Sequence, residues 1–191
     1  MKMRDSGMPP EPYWRSFFEP TGILTRLGLH HAAGPVVDIG AGYGIFTLAA
    51  AHLTGQPVVA IDIEPALLDD LARRADAAGL GTVQTMLRDV AREGTGLPDR
   101  HADIVLVFNL LHCEHPVELL KEAARTLRPN GRVGILHWRS DVATPRGPDL
   151  SIRPRPEQCV AWLRDAGFDL AVPPALLPPY HFGLVGRVSA A

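Results

Sequence analysis

From residue 35 onward, short runs of β-branched and aliphatic residues alternate with longer stretches whose apolar positions return at helical spacing. PVVDI (35–39), PVVAIDI (57–63), TVQTML (82–87) and ADIVLVF (102–108) read as buried strands, and RVGILHW (132–138) reads as a fifth. Residues 43–54 read as a helix after the first strand. Residues 65–78 read as another, opened by Pro65 and closed by Gly79. PVELLKEAARTLRPNG sets Val117, Leu120, Ala124 and Leu127 at helical spacing, with Pro116 at the start and Pro129-Asn130-Gly131 as the stop. A further helix at about 156–166 opens at Pro156 and ends at Gly167, and the Pro-rich PPALLPP (173–179) reads as a connector to a last run, FGLVGRV. Strands alternating with helices predict an α/β doubly wound fold, a mostly parallel sheet with helices on both faces. Residues 1–34 stand apart as an N-terminal helical lid segment, one or two short helices broken at Pro20, lying on a single domain of residues 35–191.

Composition narrows the class. The chain has 191 residues, 46% hydrophobic and 21% charged, which is enough for one sizeable core. Its 19 basic and 21 acidic residues leave a net charge of −2, with no block of like charge, so duplex nucleic acid and anionic membrane surfaces are poor partners. No apolar run approaches the roughly 18 residues of a membrane span. Cys113 and Cys159 lie far apart, which gives neither a disulfide framework nor a thiolate metal cluster. The reading is a cytoplasmic protein, monomer or homodimer, without a metal, acting on a small molecule.

The strongest chemical signal is VVDIGAGYG (36–44), a strand running through Asp38 into Gly40, Ala41, Gly42, Tyr43 and Gly44 and on into a helix. Glycines suit a sharp strand-to-helix turn, and their missing side chains let a ligand lie against backbone. Asp62 closes the second strand 18 residues after Gly44, where doubly wound sheets set a carboxylate against ribose hydroxyls. Dinucleotide folds usually carry GxGxxG and neutralise a pyrophosphate at the helix start, whereas here Asp38 precedes the glycines and opposes phosphate. A ligand with a ribose and a cationic group but no phosphate suits Asp38 and Asp62 together. Asp89, after the third strand, is placed to accept from an adenine amino group, with the Val90 amide beside it.

These segments resemble the class I S-adenosylmethionine-dependent methyltransferases, in particular the small-molecule methyltransferase-domain group. VVDIGAGYG, VVAIDIEP (58–65), LRDV (87–90), ADIVLVFNLLHCEHP (102–116) and LLKEAARTLRPNGRVGILHW (119–138) carry the likeness, over roughly residues 35–140. The resemblance implies a Rossmann-like seven-stranded sheet in order 3-2-1-4-5-7-6 with the last strand antiparallel. It also implies S-adenosyl-L-methionine as cofactor and S-adenosyl-L-homocysteine as product. Asp38 and Gly40 would lie near the methionine moiety, Asp62 and its neighbour Ile63 at the ribose, Asp89 and Val90 at adenine, and Asn109 and Leu110 on the sulfonium side.

Methyl transfer needs an aligned acceptor and exclusion of water more than it needs a base. His112, just beyond the fourth strand at the carboxyl edge of the sheet, is the candidate base; a packing role is its alternative. His137 and Arg139 at the end of the fifth strand, with Arg146, Arg153 and Arg155 in the following loop, are candidates to hold an anionic or aromatic acceptor. Tyr13 and Phe17, with Trp14, are candidates for the front lid. Two other readings stay open: an S-adenosylmethionine-binding interaction protein without chemistry, and a nicotinamide-dependent oxidoreductase. Against the second stands the absence of a Tyr-x-x-x-Lys pair, since Val117 lies four residues before Lys121.

Overall fold

The computed structural model describes residues 9–189. Continuous apolar runs form the centre of one sheet, because only a strand covered on both faces buries every residue. The strands are β1 (Val36–Ile39), β2 (Val58–Asp62), β3 (Val83–Leu87), β4 (Ala102–Phe108), β5 (Leu127–Trp138), β6 (Phe168–Leu177) and β7 (His181–Val188). Their spatial order is β3-β2-β1-β4-β5-β7-β6. The first five run parallel, and β7 pairs antiparallel with both β5 and β6. The fold class and strand order that the resemblance implied are therefore those of the molecule.

Helices α1 (Glu11–Arg15), α2 (Pro20–Arg26), α3 (Ile45–Thr54), α4 (Pro65–Ala77), α5 (Val90–Glu93), α6 (Pro116–Thr126) and α7 (Pro156–Asp165) complete the layers. Alternate strand residues separate into two cores. Val37, Ile39, Val105, Val107 and Ile135 meet Leu119, Leu120 and Ala123 of α6 and Leu163 of α7 on one face. Val36, Val58, Ile104 and Leu106 meet Ile23 and Leu24 of α2 and Ile45, Phe46 and Ala50 of α3 on the other. Leu24, Leu27 and Leu29 are buried within that second core. At roughly 1.5–3 kcal/mol for a fully buried large aliphatic side chain, the stretch after Pro20 contributes to the stability of the sheet it covers.

Three local readings are corrected. TVQTML is not a buried strand: β3 lies at the edge of the sheet, with Gln84, Thr85 and Leu87 exposed. PPALLPP is no connector: its first five residues, 173–177, are the end of β6, an edge strand. Pro173 and Pro174 fall where the β6–β7 register slips between Val172 and Ala175, so the missing N–H groups interrupt no ladder. Nor does Pro129-Asn130-Gly131 end α6. The helix stops at Thr126, and Asn130, with φ +64°, lies in an irregular opening of β5, where pairing with β4 jumps between Ala102 and Ile104. The turn signal was real but marked a bulge.

Candidate functional site

At the carboxyl end of β1 the chain must reverse sharply to start α3, and it does so through left-handed backbone at Gly40 (φ +70°), Gly42 (φ +55°) and Gly44 (φ +68°). The turn is pinned across the end of β2, where Gly40 N and Ala41 N donate to the Ile61 carbonyl at 2.8 and 3.1 Å. A Cβ on Gly44 would stand 2.3 Å from Leu71 Cδ1, and one on Gly40 would meet Leu110 Cδ1 at 2.9 Å. The second contact shows that the segment after β4 lies directly against the turn.

Two carboxylates flank it. Asp62 accepts from Gly42 N at 2.7 Å through one oxygen, and from Ile63 N and Glu64 N at 2.7 and 3.0 Å through the other. Its carboxylate is thus held rigidly, with lone pairs to spare for a ligand hydroxyl. Asp38 is 2% exposed and takes a 2.6 Å hydrogen bond from Thr47 Oγ1 of α3. Burial pushes its carboxyl up to about 7, the Thr47 bond opposes that, and nearby Asp62 adds to it. At the end of β4, Asn109 adopts φ +58° and donates its N–H to the Leu136 carbonyl at 2.7 Å, while its buried Oδ1 has no partner among the described residues. A buried acceptor left open and a buried carboxyl on neighbouring strands fit a ligand bringing N–H donors and positive charge. Asp89 sits at the N-cap position of α5 without capping it through its side chain, and Val90 is buried in the core behind. The Arg88 N–H donates to the Asp62 carbonyl at 2.9 Å, so the end of β3 adjoins the same edge.

The front segment crosses this edge. Tyr43 Oη donates to the Pro9 carbonyl at 3.0 Å; Arg74 of α4 donates to the Tyr43 carbonyl and pairs with Glu11 of α1 at 2.6 Å. Beyond α1, Phe17 is 7% exposed and packs edge-on against Trp138 at 5.5 Å and Tyr180 at 6.1 Å. Tyr13 packs on Phe17 at 4.8 Å but is 45% exposed. The segment therefore spans from the glycine turn to the ends of β5 and β7.

On that far side His112 Nδ1 lies 3.2 Å from His137 Nε2, and His137 Nδ1 lies 3.1 Å from the Trp138 carbonyl oxygen. His137 is fully buried beneath the half-buried His112. Burial pushes His137 down to about 3, with His112 and then His181 and Arg153 adding smaller repulsions. His112 is lowered by burial and by the Arg153 charge. Burial raises the Cys113 thiol, which keeps it protonated and unreactive. Arg139 forms a two-pronged pair with Asp141 at 2.9 and 2.8 Å. Arg153, 7% exposed, donates to the Pro148 and Arg139 carbonyls at 2.8 and 2.9 Å and lies over the Trp138 ring at 5.9 Å, so it fastens the loop after β5. Arg155 stands at the N-cap of α7, its N–H donating to Gln158 Oε1 at 2.8 Å.

Of the predicted residues, Asp38, Gly40, Ala41, Gly42, Gly44, Asp62, Ile63, Asn109 and Leu110 come together around one turn, with Tyr43 under α1. Thr47 and His181 escaped the sequence reading, as did the packing of Trp14 and Phe17 on Trp138. Thr47 is a hydroxyl in the first turn of an otherwise apolar stretch, which was the one signal available. His181, buried against Phe18 and Trp138, follows β6, which was not recognised as a strand.

The family described as "Methyltransferase domain" matches residues 36–131, half of the chain. An uncharacterized methyltransferase of Mycobacterium tuberculosis is 37% identical over 107 residues, which are 55% of this chain and 40% of that relative. The chain thus spans well under two thirds of the length of the curated relatives it matches. The crystal structure of a SAM-dependent methyltransferase from Aquifex aeolicus superposes with a TM-score of 0.81 at 21% identity, covering 95% of this chain and all of that one. A Burkholderia thailandensis 1,6-didemethyltoxoflavin-N1-methyltransferase, solved with its substrate and S-adenosylhomocysteine bound, gives a TM-score of 0.71 at 21% identity, covering 94% of this chain and 82% of that one. At these identities the likeness is one of fold.

Proposed function

The chain belongs to the methyltransferase-domain family of class I S-adenosylmethionine-dependent methyltransferases, and from that premise we propose that it methylates a small-molecule acceptor. The observation that carries this reading is the buried Asp38 carboxyl of β1 and the open Asn109 Oδ1 just after the neighbouring β4, about a turn built of left-handed glycines. The α-ammonium of the cofactor brings the charge that Asp38 lacks and donors for the acceptors around it. Asp62, held by three backbone N–H groups, takes the ribose hydroxyls beside Ile63; Asp89 and the Val90 amide take the adenine edge; Asn109 and Leu110 line the methyl-bearing side.

When bound, S-adenosylmethionine supplies a methyl carbon activated by its sulfonium. The chain's own work is alignment and exclusion of water. Glu11, tied to Arg74, and Phe17, seated on Trp138, hold the front segment as a lid, with Tyr13 presenting its exposed ring. His112 takes the acceptor's proton where the acceptor has one to lose, and His137 and Arg139 border that side. The near-balanced charge favours a small acceptor over nucleic acid. No helix among the described residues is long and apolar enough to cross a membrane, and the unpaired Cys113 and Cys159 suit a reducing, cytoplasmic compartment.

Isothermal titration with S-adenosylhomocysteine and with NADH tests the cofactor site. The first should bind and raise the melting temperature, and the second should do neither. Binding of NADH without any S-adenosyl ligand would overturn the assignment. A small-molecule panel scored for S-adenosylhomocysteine release then separates an enzyme from a protein that binds the cofactor without turnover.

A further inference from the structure

The contacts of the two histidines at the ends of β4 and β5 fix where their protons sit. The Trp138 carbonyl oxygen can only accept, so the 3.1 Å contact from His137 Nδ1 requires a proton on that nitrogen. Neutral imidazole carries one N–H, which leaves His137 Nε2 as an acceptor. Its 3.2 Å neighbour, His112 Nδ1, must then be the donor. The rings meet edge-on, at 76° and 5.4 Å between centroids, which an in-plane N–H to lone-pair contact allows and ring stacking does not. Resting on the reading of His112 as the proton acceptor, we infer that His137 is a positioning residue: it locks His112 as the Nδ1–H tautomer and leaves Nε2 as the lone pair offered to the acceptor.

The surroundings hold this arrangement in place. His137 is inaccessible to water, and its ring lies 6.3 Å from that of Phe182, its partner across the strand ladder. Arg153 and His181 are the other titratable groups bearing on it, and the cation opposes a second proton on either ring. Burial acts in the same direction and keeps both imidazoles neutral at pH 7. In the step itself the acceptor's O–H or S–H proton passes to His112 Nε2 while its electron pair bonds to the methyl carbon. The pair of the breaking C–S bond stays on sulfur, and the positive charge moves from sulfonium to imidazolium.

Two-bond 1H–15N correlation spectra of the full chain labelled at its histidines read the tautomers directly and need no acceptor. At pH 7 both His112 and His137 should be Nδ1–H, assigned through His112→Gln and His137→Gln. In His137→Phe, His112 should relax to a mixture dominated by Nε2–H; in His137→Gln, where the amide oxygen replaces the lost acceptor, Nδ1–H should return. A wild-type His112 carrying its proton on Nε2 overturns the inference, as does a His112 unchanged in a folded His137→Phe. Should that variant not fold, the wild-type and His137→Gln spectra decide. Once an acceptor is known, His137→Phe should lower kcat by roughly 10²-fold at unchanged KM, with recovery in His137→Gln. The expected tautomers without this loss of kcat would refute His112 as the base while the proton placement stands.

Discussion

The buried acid at the glycine turn makes the protein's own stability and its cofactor affinity respond to pH in opposite ways. Asp38 carries its proton up to about 7 in the folded chain, against 3.8 when exposed, chiefly because burial penalises the carboxylate. The folded state therefore holds a proton that the unfolded chain releases above about pH 4. Stability falls as pH rises from there to about 7 and then levels. Each tenfold in proton affinity is worth about 1.4 kcal/mol, so the full fall attributable to Asp38 is at most about 4 kcal/mol. Asp38→Asn cannot ionise and keeps an oxygen for Thr47, so urea denaturation should find it near wild type at about pH 4 and increasingly more stable than wild type towards pH 8. Cofactor binding should run the other way. If an ammonium holds Asp38 ionised in the complex, affinity for S-adenosylhomocysteine should tighten roughly 25-fold between pH 5.5 and 7.5, and in Asp38→Asn it should be weak and flat. Isothermal titration across that range decides the matter. A pH-independent wild-type affinity, or an Asp38→Asn variant that gains nothing at pH 8, would refute a proton-holding Asp38 as the cation site.

Other outcomes follow from neighbouring contacts. Asp62→Ala removes the acceptor of three backbone N–H groups as well as the ribose contact, so it should abolish cofactor binding and also destabilise the free protein by about 1–3 kcal/mol in urea. His112→Ala should lower the maximal rate by roughly 10²–10⁴-fold for a hydroxyl or thiol acceptor without altering cofactor affinity in titrations, whereas an unchanged rate would leave alignment as the catalytic contribution. Glu122, drawn down to about 2 first by its bond from Arg125 and further by the Thr95 N–H and hydroxyl, contributes stability that is lost as pH falls from about 4.5 towards 2; Glu122→Gln should remove that loss from acid-unfolding curves. Leu24→Ala, in the second core, should cost about 2–5 kcal/mol in chemical denaturation, which tests whether the front segment is part of the fold.

Most of the sheet was legible because parallel strands covered on both faces cannot alternate in polarity. β1, β2 and β4 announce themselves as unbroken apolar runs, and Pro65, Pro116 and Pro156 each occupy the first turn of the helix they predict. The edge was not legible, for the same physical reason reversed. β6 has exposed residues along most of its length and carries Pro173 and Pro174 at register slips, so neither burial nor propensity distinguishes it from a loop. It pairs with β7 as a hairpin closed by residues 178–180, Pro-Pro-Tyr, which lack the Gly or Asn that signal a tight hairpin turn, and with it went His181.

The glycine-turn side of the proposed site was readable in its geometry because its parts are local: glycines that must take left-handed backbone, an acid one strand on, and a polar residue after β4. The proposed acceptor side is assembled from residues whose meaning depends on pairing between distant strands. His112 and His137 lie 25 positions apart, and they meet because β4 and β5 run parallel in a register that sets Phe108 beside Leu136, with the Asn109 N–H on the Leu136 carbonyl. Shifting that register by one residue would turn His137 to the other face of the sheet and leave His112 without its acceptor. Chain order therefore marks His112 as a candidate, but the strand register gives its Nε2 an available lone pair. That register also puts Trp138 beneath Phe17, so the alignment that orients the proposed base also seats the front segment that would cover it.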